Sequence, residues 1–197
     1  MLANRRTSTA LIPELLCSCL ALIAGCADSD VQGLAEASLP RIEVDVAGVA
    51  RPRVVPGREA RVPDEAVVIG VQVGSVARAY VVQAFQVRNL QPADAQRDPE
   101  AAKVLSRHVV NDVVDGTAIS VTHCDHNLCT RVLTDAESTE ALDIGVGGWD
   151  DEMLLLIDGE RVPQSTDEVP FEDVPFEVTT WEQWREEHPH TDVYIGG

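Results

Sequence analysis

The chain has 197 residues, of which 33 are acidic and 15 basic, giving a formal charge of −18. Such a balance argues against nucleic acid as a partner, since its phosphates would be repelled. Hydrophobic residues make up 45% and aromatic residues only 4%, enough for one core, or one core with an appendage.

The first 26 residues read as an export signal. Arg5 and Arg6 form a positive n-region, residues 15–24 a short apolar stretch, and Ile23-Ala24-Gly25-Cys26 carries the small residues that a signal peptidase needs. A permanent membrane span asks for roughly 20 apolar residues, and this stretch is shorter. Cysteine directly after Ile-Ala-Gly looks like a bacterial lipobox, so Cys26 is expected to be acylated and to become the first residue of the mature protein. Ordinary secretion, with Cys26 a bystander, is the alternative. The predicted organisation is a signal peptide over 1–25, a small, polar, acidic tether over 26–40, and a single β-rich domain over 41–197. The expected location is the bacterial cell envelope, on the periplasmic or the surface side of a membrane, held there by the lipid. A protein partner is not identifiable from the sequence.

Within the domain, alternation over 42–46 predicts a half-buried strand. Residues 66–73 and 76–82 predict a hairpin around Gly74-Ser75. Pro92 and Pro99 punctuate a surface excursion over 91–106, in which a short helix starts at Pro99. Residues 109–114 and 117–123 flank Asp115-Gly116, a dipeptide suited to positive φ and a strong hairpin signal. A further strand is expected over 128–134. Two more are expected over 141–146 and 153–157, separated by Gly147-Gly148-Trp149-Asp150-Asp151, with another turn at Asp158-Gly159. Thr180 followed three residues later by Gln183 has a capping-box pattern, predicting a helix to about His188, with Trp181 and Trp184 on one face against the sheet. There is no βαβ rhythm. The expected fold is α+β, mainly β: a mostly antiparallel or barrel-like sheet with a short C-terminal helix.

The most informative segment is His123-Cys124-Asp125-His126-Asn127-Leu128-Cys129. Signal cleavage removes Cys17 and Cys19 and acylation occupies Cys26, so Cys124 and Cys129 remain as the thiols of the mature chain. An exported pair of cysteines tends to close a disulfide. Two sulfurs with one or two imidazoles also match a zinc site, and soft sulfur suits Cu(I). His123 and Cys124 are neighbours and would face opposite ways on a strand, which favours His126 or His108 as third ligand. A redox centre is disfavoured by Asp125 beside the thiol, unless a protonated His123 or His126 reverses that bias. His188 and His190 read as helix-end or loop residues, Trp149, Trp181 and Trp184 as packing residues, and Asp150, Asp151 and Glu152 as a solvated loop. No Gly-x-Ser-x-Gly elbow, Walker loop or dinucleotide fingerprint is present.

Several motifs in order resemble the bacterial domain-of-unknown-function 3179 family. They are Arg78-Ala79-Tyr80, His108-Val109-Val110-Asn111-Asp112 ahead of Gly116, Val121-Thr122-His123-Cys124, Gly145-Val146 with Gly148, and Thr179-Thr180-Trp181, Trp184, His188-Pro189 and Thr191. The resemblance covers residues 62–194 and implies an exported β-rich domain without an assigned activity. Where the family has Cys-Pro-x-Cys after a tyrosine, this chain has His123 and a spacing two residues longer, and the glutamate of a His-Glu pair is Val109. By position the resemblance reaches His108, Cys124 and Cys129, but not His126, which lies in the insertion.

The expectation is therefore a lipid-anchored, non-catalytic envelope protein with a structural disulfide Cys124–Cys129. One alternative is soft-metal binding, Cu or Zn, through Cys124, Cys129 and His108 or His126. The other is an extracytoplasmic thiol oxidoreductase. No enzyme class follows from the residues.

Overall fold

The computed structural model describes residues 41–86 and 97–196. The predicted signal peptide, the predicted acylation site Cys26 and the predicted tether lie outside the described residues, as do residues 91–96 of the predicted excursion.

Three sheets and two short helices are formed among the described residues. Sheet A has the order β1-β9-β10-β11, from Ile42–Ala47, Ile144–Asp150, Glu152–Ile157 and Glu160–Pro163, all antiparallel. Sheet B runs β12-β8-β7-β6-β2, from Glu172–Asp173, Thr130–Asp135, Thr117–His123, Val109–Val114 and Val49–Ala50; only the β2/β6 pair is parallel. Sheet C runs β13-β4-β5-β14-β3, from Phe176–Thr180, Val67–Val73, Val76–Val81, Asp192–Tyr194 and Val54–Pro56, with β5/β14 parallel. Helix α1 spans Pro99–Leu105 and α2 spans Trp181–Glu187. The fold is mainly β with mostly antiparallel pairing and a short C-terminal helix, as predicted, and no sheet closes into a barrel.

Sheet B is the middle layer. One of its faces joins Val44, Val46, Ile144, Leu155 and other residues of sheet A through Val109, Ala118, Cys124 and Leu133. Its opposite face joins Ile69, Val71, Tyr80 and Tyr194 of sheet C through Val110, Val114, Ile119, Val121 and Val132. Both faces of β6 and β7 are thus covered, which is why burial along these strands is nearly continuous rather than alternating and takes in Asn111, Asp112, Ser120 and Thr122. The far face of sheet C carries Val68, Ala79, Val81 and Val193 against Trp181 and Trp184 of α2. A β-carbon on Gly70 would collide with the Trp184 ring, so the helix packs this closely only over a glycine.

Two differences from the sequence reading have local causes. Gly147-Gly148 does not interrupt β9: the register shifts there against β10, so the extra residue forms a bulge and the turn falls at Asp151, φ 59°. Strand β8 starts at Thr130, because Leu128, φ 59°, belongs to the preceding turn. Strands β13 and β14 were absent from the prediction. Their pairing with β4, β5 and β3 is entirely long-range.

Candidate functional site: the cysteine hairpin

The β7/β8 ladder pairs His123 with Thr130, and one step further the Cys124 N–H donates to the Cys129 carbonyl at 2.9 Å. The two cysteines therefore face each other across the final rung. Residues 125–128 close the loop, where the Cys129 N–H donates to Asn127 Oδ1 at 3.1 Å and Leu128 takes positive φ with 69% of its surface exposed. A hydrogen-bonded antiparallel pair holds its Cα atoms about 5.5 Å apart, within the span of a disulfide.

Cys124 is 2% exposed and belongs to the core between sheets A and B. It is a free thiol in the structure whereas Cys129 is disulfide-bonded, so the expected Cys124–Cys129 bridge is not formed in it. Burial pushes the thiol above its usual pKa; the backbone N–H groups of Asn127 and His126 oppose this, and Asp125 and Glu152 add to it.

His123 and Cys124 leave the strand on opposite faces, as strand alternation requires. The His123 ring packs edge-on to Phe85 at 5.9 Å, on the sheet C side, with Nδ1 2.8 Å from Thr130 Oγ1 and Nε2 buried without a hydrogen-bond partner. Desolvation lowers its pKa to about 4, with a smaller push from His108 and opposition from Asp125. His108 closes the single 3₁₀ turn Ser106–His108 ahead of β6. Its Nδ1 lies 2.8 Å from the His123 carbonyl, which can only accept, so Nδ1 carries the proton. Nε2 is 3.8 Å from Asp125 Oδ1. Burial lowers the His108 pKa, opposed by the His123 carbonyl and by Asp125, and the neutral ring turns an Nε2 lone pair toward the hairpin loop.

The four residues predicted as metal ligands are thus only partly gathered. Cys124 and Cys129 meet and His108 stands close behind the Cys124 peptide, but exposed His126 rests on the Trp149 ring at 5.0 Å. Among the described residues no group of three or more His, Cys, Asp or Glu side chains is placed to hold a metal ion. This departs from the expected Cys124, Cys129, His108 and His126 set. His126 is directed instead onto the Trp149 ring of sheet A.

Other residues of the site were not singled out by the sequence. Gln164, fully buried, donates from Nε2 to Thr122 Oγ1 at 2.8 Å and to the Cys129 carbonyl at 3.3 Å, tying the segment after β11 to the hairpin. Arg131 fixes the same segment through the carbonyls of Gln164 and Thr166. Asp125, noted in the sequence only as the neighbour of the thiol, also lies beside His108 Nε2. Each contact links positions far apart in the chain, and nothing local to Gln164 announces it.

A second buried polar cluster joins sheets B and C. Asp112 Oδ2 accepts from Arg78 Nη1 and from Tyr80 Oη, each at 2.7 Å, and Asp192 lies 3.7 Å from Arg78 Nη2. Burial disfavours the Arg78 charge, but Asp112, with help from Tyr80 and Asp192, holds its pKa above the usual value. Burial first, and then Asp112, raises the Tyr80 phenol well above 10. Arg78, Tyr80 and Asp112 occur among the motifs that carry the family resemblance, and here they form an inter-sheet clamp.

No protein-family model matches the chain, and comparisons with curated proteins and with solved structures likewise give no match.

Proposed function

We propose that this is an exported envelope protein, anchored through an acyl group on Cys26 and carrying a non-catalytic β domain whose cysteine hairpin is structural. The observation that carries the reading is the position of Cys124 directly opposite Cys129 on the last rung of β7/β8. Signal cleavage and acylation of Cys26 would leave Cys124 as the only thiol of the mature chain besides Cys129, and in an oxidising compartment the facing pair would then close a disulfide that locks the loop. Burial and a raised thiol pKa speak against a redox nucleophile, which needs an accessible thiolate. The export signal and lipobox supply the compartment. The order of motifs shared with the domain-of-unknown-function 3179 family supports the same placement.

The test is alkylation of the protein isolated without reductant, followed by trypsin. Arg107 and Arg131 bound a single peptide, 108–131, that holds both cysteines. The expected product is that peptide unalkylated and two hydrogens lighter than its reduced form. Cys124 modified before reduction, or Cys129 linked to any other cysteine, overturns the reading.

A second reading, soft-metal binding, is favoured by one feature. The Nδ1–H of His108 is fixed on a backbone carbonyl, the arrangement that presents Nε2 to a metal, and two N–H groups face the Cys124 sulfur. Zinc or copper bound in stoichiometric amount, and lost in Cys124→Ser, would establish this reading over the disulfide.

A further inference from the structure

Strand β2 is the edge of sheet B and β3 the edge of sheet C, and Arg51-Pro52-Arg53 bridges them. Between this bridge and the C-terminal strand lies a cavity of about 550 Å³, within the range of small-molecule sites. Its apolar lining includes Val49, Val55 and Ile195, the last 46% exposed. Tyr194 also lines it: the residue is 2% exposed, and its hydroxyl is buried without a hydrogen-bond partner. A buried hydroxyl without an acceptor is unfavourable, and an acceptor brought into the groove beside it would relieve that.

The rim is cationic. Arg51 and Arg53 are exposed and, like Arg61, Arg97 and Arg107, make no ion pair among the described residues, although the chain has 33 acidic side chains. Arg51 holds positive φ, 53°, directly before Pro52, a conformation that glycine would adopt with less strain. Two guanidinium groups above an apolar trough match an acid head on an apolar body. A monoanion is favoured over a dianionic phosphate, because the net charge of −18 repels the second charge as well as the first. We infer that the groove lined by Arg51, Arg53, Val55, Tyr194 and Ile195 binds a small amphiphilic carboxylate, with the acid at the arginines and the apolar chain over the trough.

The experiment is calorimetric titration of the full chain with decanoate below its micelle concentration, alongside decanol, which has the same tail without the charge. Decanoate is expected to bind with one-to-one stoichiometry, at least tenfold more tightly than decanol, and more weakly as salt is raised. The double variant Arg51→Gln/Arg53→Gln should lose at least tenfold in affinity. Ile195→Glu, which keeps both arginines and puts a carboxylate on the apolar wall, should abolish binding. Equal binding of decanol and decanoate, or unchanged affinity in both variants, overturns the inference. So does arginine-dependent sedimentation with phosphatidylglycerol vesicles when free decanoate is inert, since that would assign the two arginines to a membrane surface.

Discussion

His123 shows how a single residue can tie stability to pH. Its ring is 4% exposed, between Phe85 and Thr130, and burial lowers its pKa from 6.5 to about 4. Between these values the unfolded chain binds a proton that the folded chain does not. The contribution of His123 is therefore complete above pH 6.5 and is lost as pH falls toward 4. At about 1.4 kcal/mol per pKa unit, the loss is on the order of 3 kcal/mol. Urea unfolding of the wild type and of His123→Gln checks this, because carboxylate titrations common to both proteins cancel in the difference. The stability advantage of the wild type should shrink across that interval. A difference independent of pH would falsify the assignment.

At the scale of elements, α2 depends on its first turn. Seven residues are too few for a helix to be stable alone, so it relies on the Trp181 and Trp184 contacts with sheet C and on Thr180, whose Oγ1 accepts from the Gln183 N–H at 3.3 Å. Thr180→Ala should cost about 1 kcal/mol and Thr180→Asn far less, as read from denaturant midpoints. Hairpin β6/β7 is held at its turn by Asp115, φ 49°, and Gly116, φ 76°. The Asp115 carboxylate also accepts from the Ser75 N–H at 3.0 Å and from Ser75 Oγ at 3.3 Å. The turn residue of one hairpin thus fastens the turn of another, across two sheets.

For the whole molecule, the clamp between sheets B and C makes stability sensitive to mutation. The Arg78 and Asp112 side chains are 11% and 7% exposed. Removing the carboxylate in Asp112→Ala leaves the buried guanidinium with only the longer contact to Asp192 and the Val113 carbonyl, a change that costs on the order of 3 kcal/mol. Replacing all three groups, Arg78→Met, Tyr80→Phe and Asp112→Leu, should recover most of that loss, since an apolar cluster of similar volume needs no charge compensation. Thermal unfolding of the two variants separates the outcomes: a triple variant no more stable than Asp112→Ala would mean that the clamp sets the packing of the sheets rather than neutralising a buried charge.

Hairpins β4/β5 and β6/β7, helix α1 and the capped helix α2 were all legible in the sequence, because periodicity, turn dipeptides and caps act between residues a few positions apart. The same locality brought Cys124 and Cys129 together on paper and kept His123 off their face. Tertiary structure alone decided that three sheets stack with sheet B in the middle, that short strands such as β14 join distant segments, and that His126 lies on Trp149 while His108 anchors to a carbonyl. These outcomes depend on which buried polar groups find acceptors, and which apolar faces find covers, among residues far apart in the chain. No run of neighbouring residues encodes that information.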